Sequence, residues 1–212
     1  MILSGIFASE LVDSSAEVLK VKGCDLSTME EGQAIVNWEH EGPKDGDDAG
    51  REVVGRVIAV KKIYKESDCS NDLERHFWEQ SKVPFIFGTV RLFTEGGHQG
   101  ALNLAAIIRD CMLHDEPILL GFSIEGATLE TDPHDKSILK RTIAKAVALT
   151  VKPCNKGATL AVVSDPKTDR VGFGDIDVGA AAAESTKKHL PGADRRLGGS
   201  RAEYSAELLK AL

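Results

Sequence analysis

Ser123, in the stretch PILLGFSIEGATLE (117 to 130), is a hydroxyl that follows an apolar run and precedes Gly126. A serine becomes a useful nucleophile only when a nearby base takes its proton and donors hold the oxyanion. Six histidines are available as that base: His40, His76, His98, His114, His134 and His189. Gly121 and Gly126 flank Ser123 at the wrong spacing for GxSxG, so a strand-to-helix nucleophile elbow is not supported. Neither HExxH nor HxH occurs, and Cys24, Cys69, Cys111 and Cys154 form no CxxC pair. Metal catalysis, a zinc site and a dense disulfide framework are therefore not expected, and the reading calls for no cofactor. Taken alone, Ser123 is more often a structural strand hydroxyl than a nucleophile, and isolated histidines are mostly solvated or hydrogen-bonded.

Elements that would position these groups alternate from about residue 35 to 153. VVGRVIAVKKIY (53 to 64), VPFIFGTVRLF (83 to 93) and TIAKAVALTVKP (142 to 153) are rich in β-branched and aromatic residues and predict strands. The Ser123 stretch predicts a fourth. Between them, SNDLERHFWEQS (70 to 81) opens on Ser70 and Asn71 as N-caps and carries Leu73, Phe77 and Trp78 at helical spacing. GALNLAAIIRDCMLH (100 to 114) repeats the signal with Leu102, Ala105, Ile108 and Met112 on one stripe. After Pro153 the chain turns to Gly, Ala, Asp and Lys, a composition that buries too little apolar surface to offset its ordering entropy. The expectation is a folded domain over 1 to 165 and a flexible tail over 166 to 212, with a short terminal helix in RAEYSAELLKAL.

At 212 residues and 42% hydrophobic, the chain can bury one sizeable core. Its 26 basic and 33 acidic residues give a formal net charge of -7, which makes nucleic acid an unexpected partner. The opening MILSGIFASELVDSS has no basic n-region, its apolar run is broken by Ser4, Gly5 and Ser9, and no run is long enough to cross a bilayer, so neither a leader nor a membrane partner is expected. Four scattered cysteines fit a reducing cytoplasm.

The order of segments adds to this reading. NWEHEGPKDGDDAGREVVGRVIAV, then PFIFGTVRLF, then a helix, then GFSI and finally AVALTVKP resemble in sequence the capsid-maturation serine proteases, the prohead proteases of tailed phages and their herpesvirus relatives, the assemblins. The resemblance spans Trp38 to Pro153, slightly over half the chain. It implies a mixed α+β domain built on a small, largely antiparallel β-barrel flanked by helices. It implies His40, ahead of Gly55, Arg56 and Val57, as base and Ser123 as nucleophile, two residues 83 positions apart (123 minus 40). It also implies a serine endopeptidase that cuts phage scaffold and major capsid proteins, and itself, inside the assembling procapsid in the host cytoplasm, with a homodimer among its assembly states.

The family's third catalytic position, a glutamate or histidine, falls on Ala146, which cannot orient an imidazole. Glu125 is the plainest substitute, because two residues along a regular strand it shares a face with Ser123. His134 or Asp135 in TDPHDKS would have to fold back over the site, and Lys145 would face away in a regular strand. Oxyanion donors in the family follow the closing strand, which points to PCNK and the amides of Cys154 and Asn155, without the arginine pair of the herpesvirus enzymes. His98, in TEGGHQGALN, competes with His40 but reads first as a loop residue before a helix. The rival function is non-enzymatic: a capsid-assembly or scaffold protein that keeps a protease-like barrel without a complete triad.

Overall fold

The structure is a computed structural model that describes residues 1–39, 53–114, 116, 118, 120–155, 157–165 and 170–172. His40 and His189 lie outside these residues, as does the tail from 173 onward.

Among the described residues, ten strands form one mixed sheet: β1 Ile2–Ser9, β2 Val18–Leu19, β3 Cys24–Asp25, β4 Ile35–Trp38, β5 Val53–Ile63, β6 Phe85–Leu92, β7 Gly121–Thr131, β8 Ile138–Thr150, β9 Leu160–Asp165 and β10 Arg170–Gly172. Among the described residues there are three α-helices, α1 Ser27–Glu30, α2 Asp72–Ser81 and α3 Gln99–Leu113. The mixed α+β expectation holds, and β5, β6, β7, β8, α2 and α3 fall within a few residues of the stretches that predicted them. Strands run in the order β10-β9-β1-β6-β5-β4-β8-β2, with β7 and β3 also paired to β8. Pairing is antiparallel except where β2, β3 and β4 run parallel to β8.

The sheet does not close into the expected barrel. β1 and β7 approach each other, with the rings of Phe7 and Phe122 meeting edge to face at 4.8 Å. A strand has only two edges, however, and β1 gives one to β6 and the other to β9. β9 covers Ile2–Gly5 of that second edge, and β7 pairs with β8 and not with β1, so β1 and β7 meet through side chains.

One face of the sheet buries Leu3, Phe7, Val57, Val90, Phe122 and Leu149 against Met29 of α1 and Leu104 and Ile108 of α3. A second, smaller core lies under α2, where Leu73 and Phe77 meet Ile6, Phe85 and Phe87. The N-cap read from sequence is present, since Asn71 Oδ1 accepts from Glu74 N at 2.9 Å. Glu74 in turn is buried and accepts from Lys61 Nζ at 2.8 Å, which ties α2 to β5. β10 pairs with β9 and carries the sheet past the boundary expected at residue 165. No helix among the described residues is long and apolar enough to cross a membrane.

Candidate active site

The described strands that carried the resemblance lie in one contiguous part of the sheet. The order β6, β5, β4, β8, β7 places PFIFGTVRLF, GRV, the strand ending at Trp38, AVALT and GFSI side by side. At the site end, Asn37 of β4 and Ser123 of β7 both sit in register with Ala148 of β8. At a strand spacing of about 4.8 Å, the backbones of Asn37 and Ser123 are therefore roughly 10 Å apart. Side chains alternate along a strand. Val36, Phe122, Val147 and Leu149 enter the main core, so Asn37, Ser123 and Ala148 face the other side.

On that opposite face, Asn37 Nδ2 donates to Glu125 Oε2 at 2.9 Å, across the whole width of β8. The strand between them presents alanines there, Ala148 opposite Asn37 and Ala146 opposite Glu125, and methyl groups leave the path open. Asn37 is fully buried at 0% exposure, Ser123 is 5% exposed and Glu125 is half-buried. In such a place a hydrogen bond to a carboxylate counts for more than it does in water, while the same burial restricts the approach of a substrate.

The end of the closing strand is held from two sides. Glu39 takes a left-handed backbone conformation (φ 55°) just past β4, and its carboxylate accepts from Thr150 Oγ1 at 2.9 Å and from Val151 N at 2.8 Å. The chain then turns back over β7. A methyl on Gly121 would run into Ala158 O and lie 2.8 Å from Pro153 Cγ, so only glycine lets the 153–158 turn pack there. Gly121 and Ser123 pair with Thr150 and Ala148, alternate positions on one face of β7. The turn expected to hold the oxyanion donors thus packs two residues from Ser123.

Within that turn, Asn155 is a clamp. Its Nδ2 donates to Ser9 O at 2.9 Å, and its Oδ1 accepts from Ser9 Oγ at 2.8 Å and Gly157 N at 3.1 Å. One N–H of the side-chain amide is therefore engaged with the end of β1. The oxyanion expectation also names the backbone N–H groups of Cys154 and Asn155. Cys154 is exposed, and its carbonyl accepts from Ser14 N at 2.8 Å.

The remaining candidates separate clearly. His40 lies outside the described residues, and the described part of its segment ends at Glu39 beside β8. His98 caps α3, its Nδ1 accepting from Ala101 N at 3.3 Å, as the bland reading held. His76 meets Gln80 on α2 at 2.8 Å, and His114 ends α3 within 3.7 Å of Asp110. His134 and Asp135 do not fold back over the site. They sit in the turn between β7 and β8, where Asp132 and Asp135 accept from nearby backbone N–H groups. Nine residues of strand at about 3.3 Å each put that turn roughly 30 Å from Ser123.

The premise that set Lys145 aside also fails, because β8 is not regular there. Glu125 pairs with Ala146 and Gly126 with Ala144, so Lys145 is the extra residue of a bulge. Its side chain is exposed. Asn37 was missed from the sequence, since nothing about a lone asparagine ahead of Trp38 signals a partner 88 positions away.

No protein-family model matches the chain, and no curated protein matches it. The described residues hold no group of three His, Cys, Asp or Glu placed to bind a metal ion.

Proposed function

We propose that this protein is a serine endopeptidase of the prohead-protease type, acting on scaffold and major capsid proteins and on itself during phage procapsid assembly. Ser123 is its nucleophile, His40 its base and Glu125 the group that orients the base. One observation carries the reading: the strand that runs up to the His40 segment, the AVALT strand and the Ser123 strand are adjacent, β4 beside β8 beside β7. Glu39, the residue before His40, and Ser123 are thereby brought to one end of one sheet. The Asn37 bond to Glu125 supports the same assignment, since it shows that a β7 carboxylate can be reached from β4. Ala146, where the family carries its third residue, is here the space through which that reach is made.

The mechanism follows the usual acyl-transfer steps. His40 takes the Ser123 proton as Oγ attacks the scissile carbonyl, and returns it to the leaving amine. Glu125 holds the imidazole in the useful tautomer and offsets its positive charge. The backbone N–H groups of Cys154 and Asn155 serve as donors to the developing oxyanion.

The test is labelling with a fluorophosphonate, which reacts with activated serines, alongside a gel of self-trimming. The expected result is one adduct on Ser123 and slow self-cleavage, both lost in Ser123→Ala. A folded chain that neither labels nor trims would overturn the peptidase and leave the assembly protein as the better reading.

A further inference from the structure

We propose that Arg56 and Arg91 together form a carboxylate-binding site on the face of the sheet opposite the main core, one that takes an acidic side chain of a partner peptide. The two residues stand directly opposite each other on β5 and β6. Their neighbours Val57 and Val90 enter the main core, so both arginines point from the other face. Ile35 of β4 lies in register beyond Arg56, and Ile2 of β1 beyond Arg91, so one row across four strands reads Ile35, Arg56, Arg91, Ile2. Arg56 is exposed and Arg91 half-buried. Helix α2 packs on this face further along the same strands, over Phe85 and Phe87. The site is independent of the Ser123 chemistry.

Like charges directly opposite on neighbouring strands destabilise a sheet, because the two positions are only about 4.5–5.5 Å apart. A nearby acid would offset the repulsion, and the chain has acids to spare, 33 against 26 basic residues. Lys20, Lys61, Arg75, Lys140 and Arg141 each meet one. Among the described residues Arg56 and Arg91 meet none. A sheet that served stability alone would do better with threonine or glutamate at one of the two positions. Retaining both guanidiniums makes sense if an anion from outside completes the group. Two planar forks side by side match the acceptor sites of one carboxylate, and the isoleucines at either end of the row offer apolar contact to the chain that carries it. The backbone N–H groups of β5 and β6 lie in the plane of the sheet and serve its ladders, so the cradle of amides that a phosphate group uses is missing here.

The experiment is fluorescence anisotropy of the full chain with a labelled peptide of alternating glutamate and alanine, beside the same peptide with glutamine for glutamate, at low ionic strength. Melting temperatures are measured on every variant. The chain carries a net charge of -7, so net charge does not draw an acidic peptide to it and binding reports a local site. The expected result is saturable binding of the glutamate peptide alone, weakened on the order of tenfold or more by Arg56→Gln and by Arg91→Gln. The double variant should bind little worse than either single one, because both guanidiniums grip one carboxylate. Both glutamine variants should melt at or above the parent temperature, since the repulsion is gone. Arg56→Lys and Arg91→Lys keep the charge but lose the fork, so they too should bind more weakly, and they decide the matter should a glutamine variant fail to fold. Lys136→Gln, which removes an exposed charge in the turn between β7 and β8, should bind as the parent does. Equal binding of the two peptides, or glutamate-peptide binding that survives in the folded arginine variants, would overturn the site. A melting temperature that falls in those variants while binding is unchanged would make the arginines structural instead. Inorganic phosphate that displaces the peptide at far lower concentration than acetate does would overturn the carboxylate assignment in favour of a phosphate site.

Discussion

Ala146 shows how much one methyl group decides. It stands opposite Glu125, is 3% exposed, and lies in the corridor through which Asn37 reaches the β7 carboxylate. A larger side chain would have to occupy the same space. Ala146→Leu should therefore break the Asn37 to Glu125 bond and overpack the site, at a cost of about 1–3 kcal/mol. Chemical denaturation checks the stability change, and the fluorophosphonate rate should fall with it. An Ala146→Leu chain of unchanged stability and labelling would mean that the corridor is wider than the packing implies. Ala146→Glu should fare worse, because it would place a second buried carboxylate against Glu125.

At the scale of elements, α2 holds the clearest pH-sensitive contact away from the site. His76 is partly buried beside the ring of Phe77, at 5.8 Å between centroids. Burial lowers its pKa below the ordinary 6.5, with Glu79 pulling the other way. A depressed histidine pKa means that the folded state prefers the neutral ring. The stability this carries is complete above the unfolded value of about 6.5, and is lost as pH falls through the lower folded value. The native chain should thus lose more stability between about pH 7 and 5 than a His76→Gln variant does, measured as the shift in denaturant midpoint. Parallel midpoints for the two proteins across that range would rule the effect out. The same helix is tied to β5 by the ion pair of the buried Glu74 with the half-buried Lys61.

For the whole molecule, the edge of β1 is the point on which the architecture turns. β9 covers it, and Leu160, Val162 and Val163 are each 0–2% exposed. Three such side chains are worth about 1.5–3 kcal/mol each, a large part of the roughly 5–15 kcal/mol that a domain has in total. A chain ending at Gly157 should therefore fail to fold cooperatively. One ending at Gly172, which keeps β9 and β10, should unfold within a few degrees of the full chain and still label at Ser123. Circular dichroism melts of the two truncations distinguish these cases, and a large stability loss in the longer one would assign residues beyond 172 to the core.

Local patterns in the sequence determined α2, α3 and several strands, because their causes are local. Asn71 caps α2 with its own side chain, the apolar stripes of α2 and α3 recur at helical spacing, and β5 and β6 are dense in β-branched and aromatic residues. The same reading passed over β1, whose residues are buried on both faces and so show no alternation, with Ser4 and Gly5 interrupting the run. The barrel was what the resemblance implied, and strand content by itself cannot say which edges are already taken. The face shared by Ser123 and Glu125 was legible from their spacing, whereas the partner of Glu125, the clamp made by Asn155 and the bulge at Lys145 were not. Each of these depends on a contact between residues distant in sequence or on a one-residue slip in register. Only the packed sheet, in which β8 separates β4 from β7 by the width of one strand, decides which of them meet.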